Sequence, residues 1–220
     1  MNSRTPAPSP LAGITGQRIL TPRGVQQASL RFHGGLIDDS AAPAARGAAW
    51  FDAGDLLVLP GIVDLHGDAF ERAIMPRPSV TFPYQGALFD VDRQLLANGI
   101  TTEFHGVTLS WEGGLRGESY AERMFDALEG MRALMGARHY VHLRFETHHV
   151  GGLDIAQQWI RDGRVRFLAL NDHLPSMARR LGDERKLLQY AHRAECDLDV
   201  FQDRIRAAMA ADHRARSMGP

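Results

Sequence analysis

The chain holds one cysteine, Cys196, and one lysine, Lys186, in 220 residues. A single cysteine excludes an internal disulfide framework and any paired-cysteine zinc site, and it suits a reducing compartment, so the expected location is cytoplasmic. A single lysine leaves one position for any chemistry that needs a side-chain amine. Long apolar runs are missing as well. No stretch reaches the roughly 20 residues that span a bilayer, and the amino-terminal MNSRTPAPSPLAG lacks the apolar centre of a secretory signal. Neither sign of charge dominates. The formal net charge is −1, and no basic run is present, which speaks against a dedicated nucleic-acid binder. What the chain does have is 44% hydrophobic and 23% charged residues, the balance of a globular protein with one sizeable core.

The pattern of apolar residues changes along the chain. Residues 1–13, rich in Pro, Ser and Ala, read as a flexible tail. Residues 14–58 read as short strands separated by turns, a small β-sandwich module. From residue 59 the rhythm becomes strand, helix, strand. A strand over about 61–66 leads into a long connection containing MPRPSVTFP, whose prolines forbid regular helix. GALFDVDRQLLANG reads as a helix with Leu88, Val91, Leu95 and Leu96 on one side and Gly99 at its end. ITTEFHGVTL is rich in β-branched residues and reads as a strand. SYAERMFDALEGMRALMGA carries a stripe of Met124, Phe125, Leu128, Met131 and Leu134. HYVHLRFE and VRFLALNDH are strands flanking the helix GLDIAQQWIRDGR, and the remainder is helical, in two pieces. Repeating βα units of this spacing predict an α/β fold over 59–220, about the first four units of a (β/α) TIM-like barrel.

The titratable residues fall at strand ends. Alternate residues of a strand face the same way. Asp64, His66 and Asp68 share a face on the first strand; Tyr140, His142, Arg144, Glu146 and His148 share one on the third, opposite Val141, Leu143 and Phe145. Asn171 and His173 share one on the fourth. In a βα barrel the carboxyl end of the strands is where sites are built. Each element also has a structural reading: His-x-Asp arises by chance, His148-His149 suits a loop, and Asp172 suits a helix cap. Their convergence favours a divalent cation, because burying so many titratable groups without a metal or tight pairing costs several kcal/mol.

The segments DLHGDAFERAIMPRPSVTFP, DRQLLANGITTEFHGVT, HLRFETHH and LNDHLP, in this order, are together similar to the alpha-D-ribose 1-methylphosphonate 5-triphosphate diphosphatase family of the carbon–phosphorus lyase pathway. LPGIVDLHGD also resembles the opening of the amidohydrolase superfamily. The resemblance covers about residues 59–175. It implies a metal-dependent hydrolase with an amidohydrolase barrel, which uses water to cleave a phosphorylated ribose substrate to the 5-phosphate and pyrophosphate. It implies metal ligation by His66, Asp68, Glu146 and His173, with Zn, Mn, Fe or Ni as the ion. Lys186 falls in a helical segment past the strands, so no lysine can supply the bridging carbamate many amidohydrolases use; Glu146 is the natural substitute. Arg72, Arg77 and Arg144 are expected at the phosphates, and His142 and His149 as partners orienting the ligands. His33, His105, His192 and His213 are expected to be structural or exposed.

The family pattern continues past what is present here, with further strands, another metal-binding histidine and a last-strand aspartate that serves as ligand and general base. The expectation is therefore half a barrel with two open strand edges: a fragment, a chain completed by a second copy or by a carboxy-terminal partner chain, or a protein that folds otherwise. The first is favoured. Two other functions stay open, an amidohydrolase acting on a C–N bond (a deacetylase or cyclic-amide hydrolase) and an inactive fragment or partner subunit.

Overall fold

β-Branched residues and glycine turns alternate through residues 11–38, which join residues 49–58 in one sheet. In the computed structural model, which describes residues 11–38, 49–77 and 80–217 with side chains to 211, the chain divides into two compact units, Met1–Pro60 and Gly61–Pro220. The first contains β1 (Leu11–Thr21), β2 (Gly24–His33), β3 (Leu36–Asp38), β4 (Ala49–Asp52) and β5 (Leu57–Val58). Their order is β3-β2-β1-β4, with β5 also on β1. Gly34 and Gly35, both at positive φ, make the two-residue turn between β2 and β3 that the strand twist favours. β1 begins at Leu11, so residues 11–13, expected in the tail, are strand; residues 1–10 lie outside the described residues. The described strands make a single sheet, where two facing sheets were expected.

The second unit carries β6 (Ile62–Gly67), α1 (Ala69–Ile74), α2 (Tyr84–Ala97), β7 (Ile100–Leu109), α3 (Glu118–Met131), β8 (Arg138–Glu146), α4 (Leu153–Arg161), β9 (Val165–Asn171), α5 (Leu174–Ala178), α6 (Glu184–Arg193) and α7 (Leu198–Ser217). β6-β7-β8-β9 form a curled parallel sheet in chain order, in register from Thr102 opposite Arg138 to Leu109 opposite Phe145. This is the expected α/β arrangement of four strands with intervening helices. The main core lies between the sheet and the helices that follow its strands: Val107, Leu109, Val141, Leu143 and Phe145 meet Leu88, Val91, Phe125, Leu128 and Trp159. A second core joins α5, α6 and α7 through Met177, Leu187, Phe201 and Ile205. Among the described residues no helix is long and apolar enough to cross a membrane.

Three local expectations are corrected. The connection after β6 opens with α1, whose Phe70 and Ile74 are fully buried; only the Pro-rich part after it is irregular, and Pro78 and Ser79 lie outside the described residues. α3 ends at Met131; a turn follows in which the Leu134 and Met135 N–H groups donate to the Met131 carbonyl, and the Gly136 and Ala137 N–H groups then donate to the Asp92 carboxylate at 3.0 and 2.8 Å. Leu134, expected on the buried stripe, is accordingly 71% exposed. The carboxy-terminal region is three helices, not two. Gly182 at φ 93° separates α5 from α6, Asp183 caps α6 by accepting from the Lys186 N–H, and Glu195 at φ 52° breaks the chain before α7.

Candidate active site at the strand ends

Alternation divides β8 as its sequence requires. Val141, Leu143 and Phe145 enter the core beneath the helices, which sends Tyr140, His142, Arg144 and Glu146 to the other face. Gly106 of β7 stands opposite His142 in the parallel register, and its lack of a side chain makes room there. A Cβ on Gly106 would come within 3.2 Å of Arg144 Cδ and 3.7 Å of His66 Nε2. His66 from β6 and Arg144 from β8 therefore both lie over Gly106.

The His66 ring stands edge-on to that of His142, with centroids 4.9 Å apart. His142 Nδ1 donates to the Leu65 carbonyl at 2.9 Å. That bond fixes the tautomer and leaves Nε2 with its lone pair, buried and without a partner. Burial lowers the His142 pKa, against the opposing effect of the Leu65 hydrogen bond, so the ring is neutral at pH 7.

Glu146 and His173 are in direct contact. The Glu146 carboxylate is fully buried. Its Oε1 meets His173 Nδ1 in a close hydrogen bond, and its Oε2 accepts from the His173 backbone N–H at 3.2 Å. The pair ties the end of β8 to the start of α5. Asp172, considered as a cap, instead pairs with His148 at 2.9 Å, and His173 occupies the cap position of α5.

The expected ligands are thus only partly assembled. Glu146 and His173 touch. His66 lies against His142 and Gly106. Asp68 is exposed just before α1, where it acts electrostatically on Glu71, Glu103 and Arg144. Among the described residues no group of three or more His, Cys, Asp or Glu side chains is arranged to hold a metal ion. Arg72 and Arg77 are exposed, and Arg144 alone of the three arginines is half-buried. His149, expected beside the ligands, turns to Gly152, whose missing Cβ would lie 2.2 Å from His149 Cδ2, and burial lowers its pKa. His33 and His192 are exposed, and the His213 side chain lies outside the described residues.

Several groups at this end were not singled out from the sequence. Glu103 of β7 fills the space beside Gly67, where a Cβ would fall 1.3 Å from Oε1, and its Oε2 is buried without a partner. Burial, reinforced by Asp64 and Asp68, pushes its pKa up to about 7. The available signal was a lone carboxylate inside the β-branched run ITTEFHGVT. Glu71 is also pushed up by burial, against the pull of Arg116, Arg193 and Arg144. Past the end of β7, buried Glu112 accepts from Arg116 Nη1 at 3.1 Å and Arg193 Nη2 at 2.7 Å, and its backbone carbonyl accepts from Arg204. Arg116 is four residues from Glu112, but no spacing rule links Glu112 to Arg193 and Arg204. At the other end of the sheet a cavity of about 430 Å³ is lined by Arg132, His139, Arg164 and Arg166 among others. Arg164 is held there by Asp126 and Glu129, away from the strand-end groups.

These features define a class: a parallel α/β protein whose carboxylates, histidines and arginines gather at the carboxyl ends of its strands. No family model matches the chain. It is 29% identical over 181 residues, 80% of its length, to alpha-D-ribose 1-methylphosphonate 5-triphosphate diphosphatase of Escherichia coli (strain K12). The match covers 47% of that relative, so the chain spans about half the length of the protein it resembles. The resemblance read from the motifs holds for this relative.

Proposed function

We propose that this chain belongs to a hydrolase of phosphonate metabolism that converts alpha-D-ribose 1-methylphosphonate 5-triphosphate to the 5-phosphate and pyrophosphate. The observation that carries the reading is the 29% identity over 181 residues to a diphosphatase named for that substrate. In the reaction water adds to phosphorus, the bridging P–O bond between the first and second phosphates breaks, and pyrophosphate leaves. Arg144 offsets charge on the phosphates by its planar fork of donors. Glu146 and His173 supply a carboxylate and an imidazole at one point, two of the donors a divalent ion needs. His142 has the tautomer of a metal ligand, with one nitrogen bonded to a backbone carbonyl and the other free. A divalent ion held by this set would supply Lewis acidity. His66 and Asp68 complete the proposed donors, but they do not stand in one ligand group with Glu146 and His173.

The test is pyrophosphate release from the ribose triphosphate by the purified chain, loaded in turn with Zn, Mn, Fe or Ni and assayed beside metal-free protein. The expected result is metal-dependent release, reduced at least 100-fold in Glu146→Gln and in His173→Ala. Release that is unaffected by chelation, or by both substitutions, would reject these residues as metal donors. No release with any metal would reject the activity for this chain.

A further inference from the structure

Three partly buried arginines at the strand ends keep unpartnered donors. Arg116 and Arg193 share the single Glu112 carboxylate. Their side chains are only 11% and 22% exposed, and each has a buried Nε without a partner. Arg144 takes part in none of the ion pairs among the described residues, and its Nε is likewise buried and unpartnered. The three lie within electrostatic reach of one group, Glu71; burial and then Arg116 lower the Arg144 pKa, against Glu71, Asp68 and Glu146. Burial raises the Glu71 pKa, against the pull of the three arginines.

The cations are also fixed in place. Arg193 lies 4.9 Å from the Tyr190 ring centroid and Arg180 5.5 Å, and Arg180 donates to the Tyr190 hydroxyl at 3.2 Å. Gly114 packs so closely on the end of α6 that a Cβ would lie 2.4 Å from the Arg193 carbonyl oxygen. Guanidinium donors held partly out of water without a partner are costly until an acceptor reaches them, and preorganised arginine forks suit phosphate oxygens.

We propose that Arg116, Arg193 and Arg144 form an anion seat that holds the outer phosphates of a polyphosphate chain. This rests on the triphosphate reading of the same site and adds two residues, from the β7–α3 connection and from α6, to the one arginine read from the sequence. The seat faces the group that leaves as pyrophosphate and leaves the sugar end to other residues.

The seat is tested without catalysis. The full chain in chelator-containing buffer is titrated with inorganic tripolyphosphate, followed by calorimetry and by the melting temperature. Saturable binding is expected, tighter than for orthophosphate, and about 10-fold or more weaker in Arg144→Ala and Arg193→Ala. Arg166→Ala, in the cavity at the opposite end, is expected to bind as the wild type does. Removing Arg193 leaves Glu112 short of a partner and can unfold the protein; Arg144 has no such partner, so Arg144→Ala decides alone if Arg193→Ala does not fold. The proposal is overturned if the wild type shows no saturable binding, if Arg144→Ala binds unchanged, or if Arg166→Ala loses as much. Binding that follows these residues without any hydrolysis would keep the seat and reject the diphosphatase activity.

Discussion

His105 is fully buried and sits in a chain of hydrogen bonds that the strand-end chemistry does not use. Its Nε2 lies 2.8 Å from His139 Nδ1, and His139 Nε2 lies 2.9 Å from Asp92 Oδ1. With Asp92 accepting from a neutral His139, His139 Nδ1 accepts from His105 Nε2, and His105 Nδ1 is left without a partner. Burial, aided by His139, lowers the His105 pKa to about 3. Burial alone would raise the Asp92 pKa, but the bonds from His139, Gly136 and Ala137 outweigh it and hold the carboxyl below its ordinary value. The sign for His105 follows from linkage. Between about pH 6.5, the unfolded value, and about pH 3, the unfolded chain binds a proton that the folded chain refuses, so stability falls as pH falls. Asp92 loses its contribution in the same direction, at lower pH. Chemical denaturation from pH 7.5 to 4 should show this decline. His105→Leu should flatten the part that begins near pH 6.5, while costing about 1–3 kcal/mol at pH 7.5 because His139 loses its partner.

Turn glycines carry different loads in different elements. Gly99 ends α2 at φ 77°, with nothing within 4 Å of a would-be Cβ, so Gly99→Ala meets only the left-handed backbone penalty of about 1–2 kcal/mol. Gly114, at φ 56°, would meet the same penalty and also drive a Cβ to 2.4 Å from the Arg193 carbonyl oxygen and 2.6 Å from the Ala194 carbonyl carbon. Backbone on both sides leaves little room to yield. Thermal melts should therefore rank Gly114→Ala well below Gly99→Ala. The Gly114 variant should also loosen α6 from the β7–α3 connection, read as faster hydrogen exchange in α6.

Across the Gly61–Pro220 unit, stability divides between two cores. Phe201, fully buried, anchors the one that holds α5, α6 and α7 together. Phe201→Ala should cost about 3–5 kcal/mol. The loss should be local: α6 and α7 amides should exchange faster while β7 and β8 keep their protection. Equal loss of protection across the sheet would show that the two cores unfold as one. The sheet itself ends on β6 and β9. Leu65 on β6 and Leu170 on β9 are 54% and 69% exposed, whereas most residues of the inner strands β7 and β8 are buried or half-buried.

Much of this was legible in local pattern. Period-two alternation placed Val141, Leu143 and Phe145 in the core and Arg144 and Glu146 on the other face. The helical stripe of α3 was correct up to Met131, and the strand-end histidines and carboxylates were found because alternation and turn residues depend on neighbours in the chain. The sequence by itself determined the order of elements, the faces of the strands and the resemblance to a diphosphatase. Only the tertiary structure decided that Asp92 would hold the chain after α3, that Glu112 would gather arginines from three elements, and that His66 and Arg144 would both lie over Gly106. Those outcomes depend on burial and, apart from the nearby Arg116, on partners 38 to 92 residues apart, and a buried charge selects its partner by proximity in space, which no periodicity along the chain records.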